Sequence, residues 1–277
     1  MNIRQQLAEA TTKLAAVSDT PRLDAELLMA HALGAERSAL LMRLLDGATP
    51  DGFAARLARR LAHEPLAYIT GTRDFWTISV CVAPGVLIPR PDSETLIEAA
   101  VKHFASTAPA KILDLGTGSG ALLLAAMSEW PSARGLGIDA SAQALGIASA
   151  NACRLNIAAE FRLGNWADSI TETFDLILCN PPYVETGAAL SPEVMNEPHA
   201  ALFAGTDGLD DYRRIIPQLS ALIAPGGLIT MEIGHSQAEA VSAIFAEHAM
   251  PTTVAKDLAG KDRAVLHFAL GKLAQPR

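Results

Sequence analysis

Apolar residues recur at helical spacing through the first 70 residues of the chain. Ile3, Leu7, Ala10 and Leu14 predict one helix. Thr20 and Pro21 predict the start of a second, as an N-cap followed by proline at the first helical position, and Gly34 predicts its end. A third helix is expected over residues 36–45, closing at Asp46 and Gly47. A fourth is expected over residues 50–63, with Phe53, Leu57 and Leu61 on one face and Arg56, Arg59 and Arg60 elsewhere. Together these form a small helical bundle.

Between Tyr68 and Pro89 the pattern changes to β-branched and aromatic residues broken by turn formers, which predicts a two-stranded ribbon. Beyond Pro89, short apolar runs at residues 111–115, 135–139, 160–163, 174–179 and 227–233 alternate with segments long enough for crossover helices, among them 120–129 and 141–155. That alternation predicts parallel strands in a doubly wound α/β sheet. Two more strands, near 252–258 and 264–269, leave little room for a helix between them, so the last pair should be antiparallel in a seven-stranded, mostly parallel sheet. The expected division is a helical domain at 1–72, a β-hairpin linker at 73–88 and an α/β domain at 89–277.

Composition and charge sharpen this division. With 277 residues, 50% of them apolar and 19% charged, the chain is globular in composition. The net charge of −8 falls entirely in one part: residues 1–75 hold nine basic and nine acidic residues, against thirteen and twenty-one in the remainder. An acidic α/β half argues against a nucleic-acid partner, because phosphate binding draws on clustered Lys and Arg. Cys81, Cys153 and Cys179 are widely spaced and suggest neither a disulfide framework nor a zinc site. No long uncharged apolar run exists and the start is polar and amphipathic, so a cytoplasmic protein without membrane attachment is expected.

The sharpest local signal is Ile112-Leu113-Asp114-Leu115-Gly116-Thr117-Gly118-Ser119-Gly120, a glycine turn from the first strand into a helix. Such a turn lets the backbone approach a ligand closely, beside the free N–H groups of a helix N-terminus. Gly116, Gly118 and Ala121 also satisfy the dinucleotide form of this motif, and Asp139 ends the second strand where a carboxylate can accept ribose hydroxyls. NAD and S-adenosylmethionine both fit these two features. At the end of the fourth strand stands Asn180-Pro181-Pro182-Tyr183. Two prolines there fix the backbone and remove two N–H donors, leaving carbonyls and the Asn180 amide at the ligand-binding end of the sheet.

With these residues the chain resembles the class I, S-adenosylmethionine-dependent methyltransferases that modify amino groups conjugated to a planar π system, whose signature is Asn-Pro-Pro-Tyr. Three further stretches narrow the resemblance: Glu64-Pro65-Leu66-Ala67-Tyr68-Ile69-Thr70-Gly71, then Pro84-Gly85-Val86-Leu87-Ile88-Pro89-Arg90-Pro91-Asp92-Ser93-Glu94, and Glu197-Pro198 through Asp207-Gly208-Leu209-Asp210 to Tyr212-Arg213. They are similar to the peptide chain release factor glutamine methyltransferases, over essentially the whole chain.

The resemblance implies a Rossmann-like fold, S-adenosylmethionine as cofactor and peptide chain release factors as protein substrate, methylated on the glutamine of a Gly-Gly-Gln motif. It implies that Asn180, Pro181 and Tyr183 are catalytic, and that Asn180, Pro181, Pro182 and Tyr183 bind the glutamine amide. The cofactor would rest on Gly116, Thr117, Gly118, Ser119 and Gly120, with Asp139 on the ribose, Asn165 and Trp166 near the adenine, and Asn180 beside the methyl group. A monomer without metal is expected. Arg90 is expected to pair with Glu94 across one helical turn, and His31 and His267 are expected to be structural. A ribosomal-protein glutamine methyltransferase, an adenine-N6 or guanine-N2 nucleic-acid methyltransferase and an NAD-binding protein are the alternatives.

Overall fold

The computed structural model describes residues 2–168 and 170–271. The chain divides into two compact units, one of Met1–Thr72 with Leu190–Asn196, the other of Arg73–Ala189 with Glu197–Arg277.

The first unit is helical: α1 (Ile3–Leu14), α2 (Pro21–Leu33), α3 (Arg37–Ala39), α4 (Phe53–Leu61) and α5 (Leu66–Thr70). Its core gathers the residues that the periodicity marks, with Ile3, Leu7, Leu14 and Phe53 at most 1% exposed. Local winding departs from expectation in four places. Thr20 occupies the N-cap of α2, but its hydroxyl donates to the Asp24 carboxylate and caps no backbone N–H. The third helix is only three residues of α-helix followed by a π-helical turn over Leu40–Leu44; apolar periodicity over so few residues does not separate the two windings. Gly52, in the left-handed region at φ 82°, starts α4 later than predicted. Tyr68–Thr70 is helical, since Pro65 and left-handed Gly71 bound a single turn whose Tyr68 and Ile69 are buried; that burial outweighs the strand preference of Ile and Thr.

One buried ion pair fixes this unit. Arg60, 3% exposed, donates to Asp24 Oδ2 at 2.8 Å and to Glu193 Oε2 at 2.7 Å, so the segment Leu190–Asn196 is bound into the helical unit by a charge from the last turn of α4.

The second unit begins with the ribbon β1 (Thr72–Phe75) and β2 (Ile78–Cys81), then α6 (Glu94–His103). Strands and helices alternate through β3 (Lys111–Leu115), α7 (Ala121–Glu129), β4 (Arg134–Asp139), α8 (Ala142–Leu155), β5 (Ala159–Leu163), β6 (Phe174–Cys179), α9 (Asp210–Leu219), β7 (Ile223–Glu232), α10 (Ala238–Glu247), β8 (Thr253–Lys256) and β9 (Asp262–Phe268). The sheet order is β5-β4-β3-β6-β7-β9-β8. All neighbours are parallel except that β9 runs antiparallel to β7 and to β8. The predicted seven-stranded sheet with its antiparallel last pair is therefore the observed one. Strand order reverses direction between β3 and β6, which opens a crevice at their C-terminal ends. Among the described residues no helix is long and apolar enough to cross a membrane.

Asn151 ties the ribbon to that crevice. It is fully buried on α8, accepts the Cys81 N–H at 2.7 Å, and donates to the Cys81 and Ser119 carbonyls at 2.9 Å each. Replacing it with alanine strands three backbone groups, one buried at Ser119 and two half-buried at Cys81, and a buried group left unpaired costs about 1–3 kcal/mol. We expect Asn151→Ala to lower the urea unfolding free energy by about 3 kcal/mol or more; a loss below about 1 kcal/mol would contradict this linking role.

Candidate active site

At the crevice lies a cavity of about 570 Å³, within the range of roughly 300–1,000 Å³ typical of small-molecule sites. Gly116, Gly118, Asp139, Asn165, Trp166, Asn180 and Pro182 all line it. The fold thus brings together residues from the ends of four strands.

Ahead of the N-terminus of α7, the first amides of the glycine turn already have partners. Gly116 and Thr117 both donate to the Ile138 carbonyl at 2.9 Å, and Gly118 donates to Asp139 Oδ2 at 2.8 Å. These amides are committed within the protein. What the turn offers is close approach: Gly116, at φ 74°, lies where a Cβ would stand 2.9 Å from the Trp166 ring, whereas a Cβ on Gly118 would meet only the Gly116 carbonyl oxygen, at 4.0 Å. Thr117, Ser119 and Gly120 are buried and do not line the cavity. Thr117 donates to Asp114 Oδ2 at 2.6 Å, and the Ser119 carbonyl receives Asn151, so both side and main chain there hold the turn in shape.

Asp139 accepts the Ser141 N–H on its other oxygen, also at 2.8 Å. An ionised carboxylate has about four acceptor positions, so two backbone bonds leave it capacity for a pair of hydroxyl donors. Trp166 holds a left-handed backbone at φ 53°, and its indole N–H donates to Asp211 Oδ1 at 3.1 Å. Asn165 is exposed on the same wall. Burial pushes the Asp211 carboxyl upward despite the Trp166 hydrogen bond.

On the opposite side, Asn180 donates its Nδ2–H to Ser93 Oγ at 3.4 Å, while its Oδ1 is buried without a hydrogen-bond partner. Pro181 is buried and, like Tyr183, does not line the cavity. The Tyr183 hydroxyl donates to Glu232 Oε1 at 3.3 Å, and burial pushes its pKa well up, so the phenol stays neutral.

Several neighbours carry no sequence signal that the motifs could reveal. Ser141, Asp211 and Arg214 line the cavity, yet each reads as an ordinary helix-terminal or surface residue. Glu232 has one visible mark, a carboxyl within the apolar run of residues 227–233. Arg90 does not pair with Glu94. Its guanidinium reaches Glu197, which also accepts the Ile88 N–H at 2.9 Å, and Glu94 accepts the Trp76 N–H at 2.8 Å. Helical spacing is insufficient here because Arg90 lies outside the helix, in extended backbone before the turn Pro91–Ser93. His31 accepts from Arg56, and a His267 ring nitrogen lies 2.8 Å from the Pro251 carbonyl. Among the described residues no cluster of His, Cys, Asp or Glu is arranged to hold a metal ion.

The chain is similar to known proteins over most of its length. Residues 5–71 match the PrmC N-terminal domain, and residues 89–205 match the methyltransferase small domain. A release factor glutamine methyltransferase of Caulobacter vibrioides is 40% identical over 261 residues, covering 90% of this chain and 89% of its own. The protein of the same name from Cereibacter sphaeroides is 40% identical over 96% of this chain and 98% of its own. Among solved structures, the hMettl16 catalytic domain in complex with an RNA hairpin covers 82% of this chain and 84% of its own, at TM-score 0.56 and 15% identity. The T. thermophilus 16S rRNA N2 G1207 methyltransferase in complex with AdoMet and guanosine covers 72% and 49%, at TM-score 0.51 and 18% identity. At these identities the structural likeness is one of fold.

Asp114, beneath the turn, yields a pH signature. Burial raises its pKa to about 7, against stabilisation by Thr117 and the Leu123 backbone. A carboxyl raised on folding contributes stability that is fully present below its unfolded value near 3.8 and is lost as pH rises through about 7. Asp114→Asn retains an acceptor for Thr117 and does not titrate. Its unfolding free energy relative to the unsubstituted protein should therefore be higher at about pH 8 than at about pH 5, measured by urea denaturation. An equal difference at the two pH values would contradict a protonated buried Asp114.

Proposed function

Because the chain belongs to the release factor glutamine methyltransferase family, we propose that it methylates the side-chain amide nitrogen of the glutamine in the Gly-Gly-Gln motif of peptide chain release factors. The methyl donor is S-adenosylmethionine, which supplies a methyl group on a positively charged sulfur. The observation that carries the site assignment is the buried, unpartnered Oδ1 of Asn180 beside a cavity of cofactor size. An acceptor left unpaired in the interior costs about 1–3 kcal/mol. A donor from the substrate amide satisfies it.

A glutamine amide nitrogen is a weak nucleophile because its lone pair is delocalised into the carbonyl. In the proposed site Asn180 Oδ1 accepts one amide hydrogen and the Pro181 carbonyl accepts the other. These two bonds fix the nitrogen, draw electron density toward it and stabilise the positive charge that develops as the N–C bond forms. Tyr183, held by Glu232, packs its ring against the amide plane, and Pro182 walls the cavity. As the N–CH3 bond forms the S–CH3 bond breaks, its electron pair leaving a neutral thioether, and the methylated, strongly acidic nitrogen gives one proton to solvent water, so orientation and electrostatics supply the catalysis without a tuned general base.

For the cofactor, Asp139 accepts the ribose hydroxyls, Trp166 and Asn165 border the adenine, and Gly116 and Gly118 let the methionine part approach the backbone. Thr117, Ser119 and Gly120 maintain that turn from behind. The helical domain at residues 1–72 recognises the release factor, joined through the linker at 73–88 to the methyltransferase domain at 89–277. The enzyme acts as a cytoplasmic monomer on a protein partner, without nucleic acid or membrane.

Incubation with a purified release factor and methyl-labelled S-adenosylmethionine, followed by peptide mapping, should place the label on the Gly-Gly-Gln glutamine; labelling of a Gly-Gly-Ala variant would refute the substrate assignment. Asn180→Ala is expected to lower kcat by about 100-fold or more while calorimetry records unchanged cofactor affinity. Asp139→Ala should do the reverse in order of severity, weakening cofactor binding by about 1.5–3 kcal/mol. Deleting residues 1–72 should raise the release factor KM far more than it changes cofactor affinity, and equal effects on both would argue against a recognition domain.

A further inference from the structure

Beneath the Asn180–Tyr183 turn lies a buried carboxyl that the chemistry above uses only as an anchor for Tyr183. Glu232, the last residue of β7, is 1% exposed, and its Oε2 is buried without a hydrogen-bond partner. Ser93, 2% exposed, places its hydroxyl against the same carboxyl and receives the Asn180 Nδ2–H at 3.4 Å. Ser93 therefore stands between Asn180, from which it accepts, and the Glu232 carboxyl, whose Oε2 is free to receive its proton.

The direction of the protons between these groups matters. A serine hydroxyl has one proton to donate and lone pairs to accept with. When Glu232 is ionised, the Ser93 proton turns to it, and Ser93 meets Asn180 only as an acceptor. That selects Nδ2 facing inward and Oδ1 facing the substrate. When Glu232 is protonated, its own O–H can donate to Ser93, which frees the Ser93 proton for Asn180 and favours the opposite amide orientation. Asn180 would then present a donor to the donor of the substrate amide.

We propose that ionised Glu232, acting through Ser93, is the positioning group that sets which end of the Asn180 amide faces the substrate. This rests on the methyl-transfer reading of the site. The groups facing Glu232 come from every element around it: Cys179 at the end of β6, Tyr183 in the turn beyond it, Tyr212 of α9, Asp92 of the turn before α6, and Arg263 of β9. Tyr183, Tyr212 and Cys179 are pushed upward by burial and stay neutral. Arg263 favours the carboxylate and Asp92 opposes it, while burial dominates and raises the Glu232 pKa to about 7. Arg263 is itself held by Asp257 and Asp92, both at 3.1 Å.

The test compares the full-length enzyme with Glu232→Gln, Ser93→Ala and Ser93→Thr, using methyl transfer to a release factor from about pH 5.5 to 9. In the unsubstituted enzyme kcat should fall as pH drops through about 7. Glu232→Gln and Ser93→Ala should both lose this limb and have kcat about 10- to 100-fold lower, with release factor KM and calorimetric S-adenosylmethionine affinity within about twofold. Ser93→Thr, which keeps the hydroxyl, should retain the limb and most of kcat. If Glu232→Gln does not fold, as read by circular dichroism and Tm, the contrast between the two Ser93 variants decides. A limb that persists in Glu232→Gln or Ser93→Ala overturns the proposal, as does a loss of kcat accompanied by an equal loss of cofactor affinity. Failure of the unsubstituted enzyme to label the release factor refutes the functional reading itself, whereas labelling with an unmoved pH profile in the variants refutes only the role of Glu232.

Discussion

The Asp139 carboxylate receives the Gly118 N–H on one oxygen and the Ser141 N–H on the other, both at 2.8 Å. It thereby fastens the turn that follows β3 to the turn that follows β4. Two parallel strands alone would leave these turns free to adjust independently, because the ladder hydrogen bonds end at the strand termini. With the carboxylate in place, the glycine turn and the start of α8 become one surface, and that surface is a wall of the cavity. Charge-assisted bonds to backbone amides are among the stronger hydrogen bonds in proteins, and here they position groups that local propensity leaves variable.

The other wall is organised by buried polar groups in place of close apolar packing. Ser93, the Asn180–Tyr183 turn and Glu232 approach one another from three separate stretches of chain. Burial raises the Glu232 carboxyl, as it raises Asp114 beneath the glycine turn. Such groups reduce stability when incompletely paired, and Asn180 Oδ1 and Glu232 Oε2 are incompletely paired. In the proposed reaction that deficit is useful, since an acceptor held without a partner is ready for a substrate donor and needs no reorganisation when the donor arrives.

Much of this was legible along the chain. The strand and helix alternation after Pro89, the antiparallel final pair and the two motifs at 112–120 and 180–183 depend on short-range patterns, and the structure places both motifs at the sheet crevice. The less legible features share one cause. Arg90 and Glu197 are separated by 107 residues, Asn151 and Cys81 by 70, and Asn180 and Ser93 by 87; no periodicity links such positions. Local errors had a different origin. Tyr68–Thr70 has strand-like composition but forms a single helical turn because its buried side chains complete the helical core.

The sequence by itself determined the elements, their order and the chemical identity of the groups at the strand ends, because hydrophobic period and turn chemistry act over a few residues. It also carried the family, through motifs spread over the whole length. Only the tertiary structure decided which amides of the glycine turn are already occupied, which carboxylate receives Arg90, and that a segment near residue 193 completes the helical unit around Arg60. Hydrogen bonds and buried charges require partners at defined distances, and those distances exist only after the core has brought remote stretches of the chain together.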